Sequence, residues 1–240
     1  MASRPLETGA AETASSRLRR KLALTIGPFA EACTALVEHP RLAELWPNYL
    51  IVQHQIIRAT VPLTKDAAKR ARELEDDPVA PELAGYLDEH VGEEDGHDED
   101  LLADLESLGH DRETVLDRMP SPAVAALVGS QYYWIRHHHP IAFLGYVAFM
   151  EGYPPTPDLI ETLAERSGHS PDAFRTFAQH GDLDPGHRDH LDETLDALPL
   201  TRDHEAVMAI SATTTSALAA GAIEEVLRRP ADRGLEGVSR

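Results

Sequence analysis

The sequence predicts an all-α fold, a single bundle of about seven to nine helices. Three observations predict it. Apolar residues recur at helical spacing along most of the chain, Pro and Gly punctuate the periodic stretches, and runs of alternating Val, Ile, Thr and aromatic residues are absent. The 240 residues, 42% of them hydrophobic, suffice for one sizeable core. Residues 1–16 are polar and rich in Ala, Ser and Thr, and are expected to form a disordered arm. Residues 17–228 form the expected helical domain, and 229–240 a flexible tail.

The elements follow in order. Between Arg17 and Glu38 an apolar stripe runs through Leu22, Leu24, Ile26, Phe29, Ala32, Cys33 and Leu36, interrupted at Pro28. A second helical region spans Leu42 to Leu74, with Pro47 near its start and a kink expected at Pro62. Glu82 to Leu108 reads as one helix, and Gly109 suits its C-terminal cap. Ser121-Pro122 opens a long helix to Gly152 that contains Pro140. A short helix follows from Asp158 to Ser167. Ser170-Pro171 starts another that runs to His180, a further one covers Pro185 to Leu198, and Asp203 to Arg228 closes the fold.

Composition narrows the function. Lys and Arg number 22 against 41 Asp and Glu, a net charge of −19. So acidic a surface repels nucleic acid and anionic membranes. The single cysteine, Cys33, excludes an intrachain disulfide and a Cys-based zinc or iron–sulfur site. Its apolar surroundings suit a buried small hydrophobe. No stretch approaches the ~20 apolar residues of a spanning helix, and the start lacks the apolar core of a signal peptide. A cytoplasmic location is the expectation.

Two segments carry the chemistry. The first reads His90-Val91-Gly92-Glu93-Glu94-Asp95-Gly96-His97, and on one helix His90, Glu94 and His97 would share a face. The second, His180-Gly181-Asp182-Leu183-Asp184-Pro185-Gly186-His187, repeats the His-x₃-carboxylate-x₂-His spacing. With 13 His and 41 acids, chance supplies roughly 0.1 such matches per chain. The bland alternative is two solvated acidic faces with incidental histidines. Imidazole with carboxylate is a ligand set for Fe(II), Mn(II) or Zn(II). Glu151 ends an apolar stretch and, on a continuous helix, would share a face with Leu144, Pro140, His137 and Tyr133, which points it inward. Gly181 and Pro185 disfavour a continuous helix, so His180 is expected to end one helix and Asp184 and His187 to begin another.

These motifs, with Pro140…Leu144-Gly145-Tyr146…Glu151-Gly152 between them, resemble the haem-oxygenase-like diiron oxidases and oxygenases, the iron-containing redox enzymes. The resemblance spans about residues 80 to 200. It implies a haem-oxygenase-like helical bundle and two Fe(II) per chain, held by Glu94, His97, Glu151, His180, Asp184 and His187. Some members place the first carboxylate two turns before the His. Here that position is His90, so either Glu94 takes the role or His90 adds a nitrogen. The resemblance also implies O₂ as co-substrate, a small-molecule substrate, and a role in specialised metabolism. Its chemistries are N-oxygenation of amines, oxidative C–C cleavage of amino acids and fatty-acid decarboxylation, among which an amine or amino acid substrate is the expectation although spacing and composition do not choose. An external electron donor could serve the reduction. Two other readings stay open: a mononuclear or redox-silent metal protein, and a metal-free relative such as a cofactorless oxidase or a thiaminase-like hydrolase.

Outside the motifs, Tyr133, Arg136, His137 and His54 are candidates for substrate contact. His190 falls about 120° round a helix from Asp184 and is expected near the metals or at the surface. Asp192 and Asp196 are expected on a solvated face. The apolar segment Ala217 to Ile223 could mediate a homodimer.

Overall fold

The computed structural model describes residues 12–228. Among them are twelve α-helices, two 3-10 turns and no strand. Helices outnumber the expectation because glycines and prolines divide what periodicity alone joins. The expected arm lies outside the described residues up to residue 11. Residues 14–16, also assigned to it, are helical. Thr13 caps α1 (Ala14–Thr25) by accepting the Ser16 N–H, and Leu18 and Leu22 anchor it in the core. The expected tail, 229–240, lies outside the described residues.

Pro28 sits in the first turn of α2 (Gly27–Val37), where its missing N–H breaks no bond. The second region divides into α3 (Leu42–Ile57) and α4 (Thr60–Arg72). Pro62 occupies the opening turn of α4 and so does not kink a continuous helix. The expected single helix from Glu82 to Leu108 is broken. α5 (Ala80–Glu94) stops at an extended Asp95, Gly96 turns left-handed at φ +96°, and α6 (His97–Ser107) begins. Gly109, at φ +84°, ends the turn after α6 as expected. A short α7 (Arg112–Leu116) follows.

The long helix expected from Pro122 to Gly152 is also two. α8 (Pro122–His137) ends before Pro140, a 3-10 turn covers Pro140–Ala142, and α9 (Phe143–Met150) starts afresh. Pro140 disfavours a helical conformation at His139, whose backbone is extended. After α10 (Pro157–Ser167) and a 3-10 turn at Pro171–Phe174, α11 (Arg175–Ala197) runs unbroken through Pro185. The break expected there does not occur. Gly181 at the i−4 position presents no side chain, and its backbone approaches Pro155 so closely that a Cβ would lie 2.6 Å from the Pro155 carbonyl oxygen.

α12 (Arg202–Arg228) is the central helix, packed by α9, α2, α8 and α1. Against the sequence reading, it is long and apolar enough to cross a membrane, but most of that stretch is buried within the bundle. Ala219, Ala220, Ala222 and Ile223 of the segment proposed for dimerisation lie in the core. Between α8 and α12, Gln131 donates to Thr215 and accepts from Ser211, a satisfied buried network. α9 meets α12 through Gly145, where a Cβ would lie 2.1 Å from the Met208 carbonyl oxygen. Gly145→Ala should therefore force the two helices apart and cost about 2–3 kcal/mol. Urea denaturation checks this; an unchanged midpoint would mean that the close crossing is not there.

Candidate metal centre

α5, α6, α9 and α11 bring the motif residues into one cluster, buried but for the half-buried His180 and His187. Its first member is Glu151, which caps the C-terminus of α9 and is 5% exposed. The expected inward direction holds, but not for the reason of a shared face with Tyr133 and His137, because α8 and α9 are separate helices. His90, from the last turn of α5, places Nε2 3.6 Å from Glu151 Oε1. His187, from α11, places Nδ1 3.8 Å from the same oxygen. Ligand atoms of His90, Glu94 and Glu151 all lie within 4.8 Å of one another.

Glu94 leads to the other half of the cluster. Its Oε2 is 3.3 Å from His97 Nδ1 across the Gly96 break. The two residues thus meet without sharing a helix. His97 packs edge-on against His180, with ring centroids 4.6 Å apart. His180 Nδ1 is 3.1 Å from Asp184 Oδ1, one turn further along α11. The start of α11 is itself held by buried Asp104, which accepts the Thr176 N–H at 2.9 Å.

Charge in the cluster is unevenly satisfied. Burial pushes the Glu151 carboxyl up to about 8, against the opposing pull of His90. For Glu94, burial also acts upward, but the His97 hydrogen bond and the neighbouring imidazoles outweigh it and hold the carboxyl below its ordinary value. The Glu94 hydrogen bond raises His97. Burial lowers His90, but Glu93, Glu151 and Glu94 together raise it. Both oxygens of Glu151, Nε2 of His180 and Nδ1 of His187 are buried without a hydrogen-bond partner among the described residues. Such atoms are costly unless something absent from the polypeptide engages them. A pair of divalent cations fits this donor set of imidazoles and carboxylates.

Glu93 was missed in the sequence, although its i+3 spacing from His90 could have flagged it. It accepts from His90 Nδ1 at 3.1 Å. That bond fixes the tautomer and leaves Nε2 with its lone pair toward Glu151. His190 lies beside the cluster, with Nδ1 3.7 Å from Glu93. A cavity of about 160 Å³ opens from His90, Glu94, Glu151, His180 and Asp184. Aromatic and aliphatic groups wall it: Phe29, Tyr49, Ile56, Val147, Phe149 and Phe177, with Gln53 and Tyr153 as polar edges.

The structure does not bring the other candidates to this cavity. Tyr133 is 60% exposed, and His137 is exposed beside it. Arg136 pairs with Asp66 at 2.7 Å and lies over the Tyr132 ring. All three project from α8, which Pro140 separates from the Glu151 segment. His54 is fully buried with neither ring nitrogen bonded, but it lies one position round α3 from the cavity-lining Gln53. Asp196 is exposed, as expected, and Asp192 partly so, and both also hold α1.

A second cluster, Asp77, His139 and His204, also has ligand atoms within 4.8 Å. Its imidazoles are committed elsewhere. His139 Nδ1 accepts the Ile141 N–H at 3.0 Å, and His204 Nδ1 accepts the Thr201 N–H at 3.4 Å. Each neutral ring then carries its proton on Nε2, directed at Asp77, where a metal would need a lone pair.

Residues 58–221 match the family described as iron-containing redox enzyme. Among solved structures, the chain is similar to a domain of unknown function with a heme oxygenase-like fold from Shewanella denitrificans OS217. The TM-score is 0.74 at 21% identity, covering 88% of this chain and 91% of that one. It is also similar to a TenA homolog from Pseudomonas syringae pv. tomato str. DC3000, with a TM-score of 0.70 at 11% identity, covering 95% and 99%. At these identities the likeness establishes a heme oxygenase-like fold. No curated protein matches the sequence.

The burial of Glu151 sets a pH dependence. Its carboxyl is ordinarily near 4.5 and stands at about 8 in the fold, so the folded protein binds the proton more tightly than the unfolded chain does. That stability is fully present below pH 4.5 and is lost as pH rises through 8. Glu151→Gln keeps a neutral group there. In chelator-treated protein, the melting temperature of the wild type should fall relative to the variant by roughly 10 °C between pH 5 and pH 8. A constant difference across that range would show that Glu151 is ionised in the fold.

Proposed function

We propose that this chain, which belongs to the family of iron-containing redox enzymes by its match over residues 58–221, is a non-haem diiron oxidase or oxygenase acting on a small, largely apolar amine or amino acid. One observation carries the reading. Buried imidazole and carboxylate atoms converge without partners at the inner end of an apolar cavity. Glu94, His97, His180 and Asp184 would hold one ion. Glu151 and His187, with His90 beside them, would hold the other. Two ferrous ions there would supply the electrons and open coordination positions that reduce O₂. Three carboxylates against two divalent ions nearly balance the charge, which favours a pair of ions over an empty site.

The side chains divide the remaining tasks. Glu93 keeps the proton on His90 Nδ1 and so aims Nε2 into the site. Glu151 holds a proton in the absence of a cation and releases it when one binds. Tyr146 shares a hydrogen bond with Thr60 at 3.2 Å, and burial raises its phenol above the ordinary value, so it stays protonated at the cavity wall. The aromatic walls exclude water from the inner end.

The same walls support the substrate class. Among the described residues no Lys or Arg lines the cavity, so an anionic group remote from the metals finds no partner there. Aromatic faces beside acidic groups suit an amine, and the Gln53 amide is available to a polar substituent. A cavity of about 150 Å³ accommodates benzene, which limits the enclosed part of the substrate to about the size of one ring.

Ferrous-loaded protein should contain two irons per chain and consume O₂ with small apolar amines or amino acids. Metal analysis and an oxygen electrode test both. His187→Ala should bind about one iron fewer per chain, with helical circular dichroism unchanged. Unchanged iron content would remove His187 from the site, and full turnover in chelator would replace the diiron reading with a metal-free one.

A further inference from the structure

We infer that Arg19 on α1 is a positioning residue for this centre, clamping the end of α9 that carries Glu151 to the α11 helix that carries His187. The inference rests on the diiron reading above. The guanidinium spans three elements. Nη1 donates to the Ala148 carbonyl at 2.7 Å, while Nε and Nη2 donate to Asp192 Oδ1 at 3.0 and 2.8 Å. Ala148 offers one of the last carbonyls of α9, a group that a helix end leaves without an internal partner. The residue that would ordinarily bond it, Gly152, turns its N–H to Phe149 instead, at 3.3 Å. A cation at this end also complements the helix dipole.

Gly152 makes the approach possible. A Cβ there would lie 2.4 Å from the Ala148 oxygen and 3.1 Å from Arg19 Nη1. The small residue beside Glu151 thus keeps open the space that the guanidinium fills. Asp192 follows His187 on the same helix, so the clamp fixes the spacing between the two elements whose side chains meet at 3.8 Å. A lysine offers a point charge and cannot bond Ala148 and Asp192 together in this forked geometry. α1 lies before the matched residues 58–221, so the clamp comes from outside the family core. α1 has other anchors that do not reach α9: Arg17 pairs with Glu205 of α12, and Ser15 bonds Asp196. They supply a matched control.

The test uses the full-length protein with Mn(II), read by electron paramagnetic resonance, and amide hydrogen exchange of the chelator-treated protein. Wild type is expected to bind two Mn(II). Arg19→Met should bind one with near-wild-type affinity and the other at least tenfold more weakly, and Arg19→Lys should fall between them. Arg17→Met should match wild type at both sites. Amides of 148–152 should exchange faster in the metal-free Arg19 variants and not in Arg17→Met. Equal weakening in Arg19→Met and Arg17→Met would overturn the inference, as would unaltered affinities in the Arg19 variants. Should Arg19→Met not fold, Arg19→Lys decides by the same two readouts. Absence of Mn(II) binding to the wild type would sink the diiron reading instead, and the exchange data would still score the clamp.

Discussion

The constraint on which the rest of the structure depends is a buried carboxyl group that no other group among the described residues satisfies. Glu151 is 5% exposed, and neither oxygen has a hydrogen-bond partner. A polar atom buried in this way costs about 1–3 kcal/mol, and more when charged. The helix that delivers it is short and almost wholly buried, from Phe143 to Phe149. It reaches that depth because Gly145 lets its backbone touch α12. It ends there because its last carbonyls find partners outside the helix, the Arg19 guanidinium among them. Fold and site are therefore coupled at one helix end.

This coupling explains which parts were legible in the sequence. Glu94 and His97 do meet, but across the Gly96 break and not on the shared helix face that their spacing predicts. Spacing paired His180 with Asp184, because contacts within one turn of a helix depend on local geometry. The all-α class was legible for the same reason. Helix boundaries were less so. Gly96 and Pro140 each divide a stretch whose apolar period continues across them. The face argument that placed Tyr133 and His137 beside Glu151 failed at Pro140, since a helical wheel has no meaning across a break. At Pro185 the error ran the other way. There the helix persists through the proline, and the contact that accompanies it, Gly181 against Pro155, lies 26 residues distant in sequence. The roles of Arg19, Asp104 and Asp192 depend wholly on such long-range pairings.

The second His–Asp cluster shows why residue type and distance do not suffice to define a metal centre. Asp77, His139 and His204 satisfy the same distance criterion as His90, Glu94 and Glu151. The difference lies in what the far nitrogen of each ring does. At His139 and His204 it accepts a backbone N–H, so the near nitrogen keeps its proton; His139 donates it to Asp77 at 3.0 Å, and His204 directs it at the same oxygen from 3.9 Å. That arrangement is complete within the protein, joining the segment before α5 to those before α9 and at the start of α12. At His90 the far nitrogen faces Glu93 and at His180 it faces Asp184, so in each the other nitrogen is left with a lone pair. For His180 that nitrogen is buried and unpartnered. One cluster closes its own hydrogen bonds and serves as a staple. The other leaves unpartnered atoms facing a cavity, which is the arrangement the proposed metal site calls for.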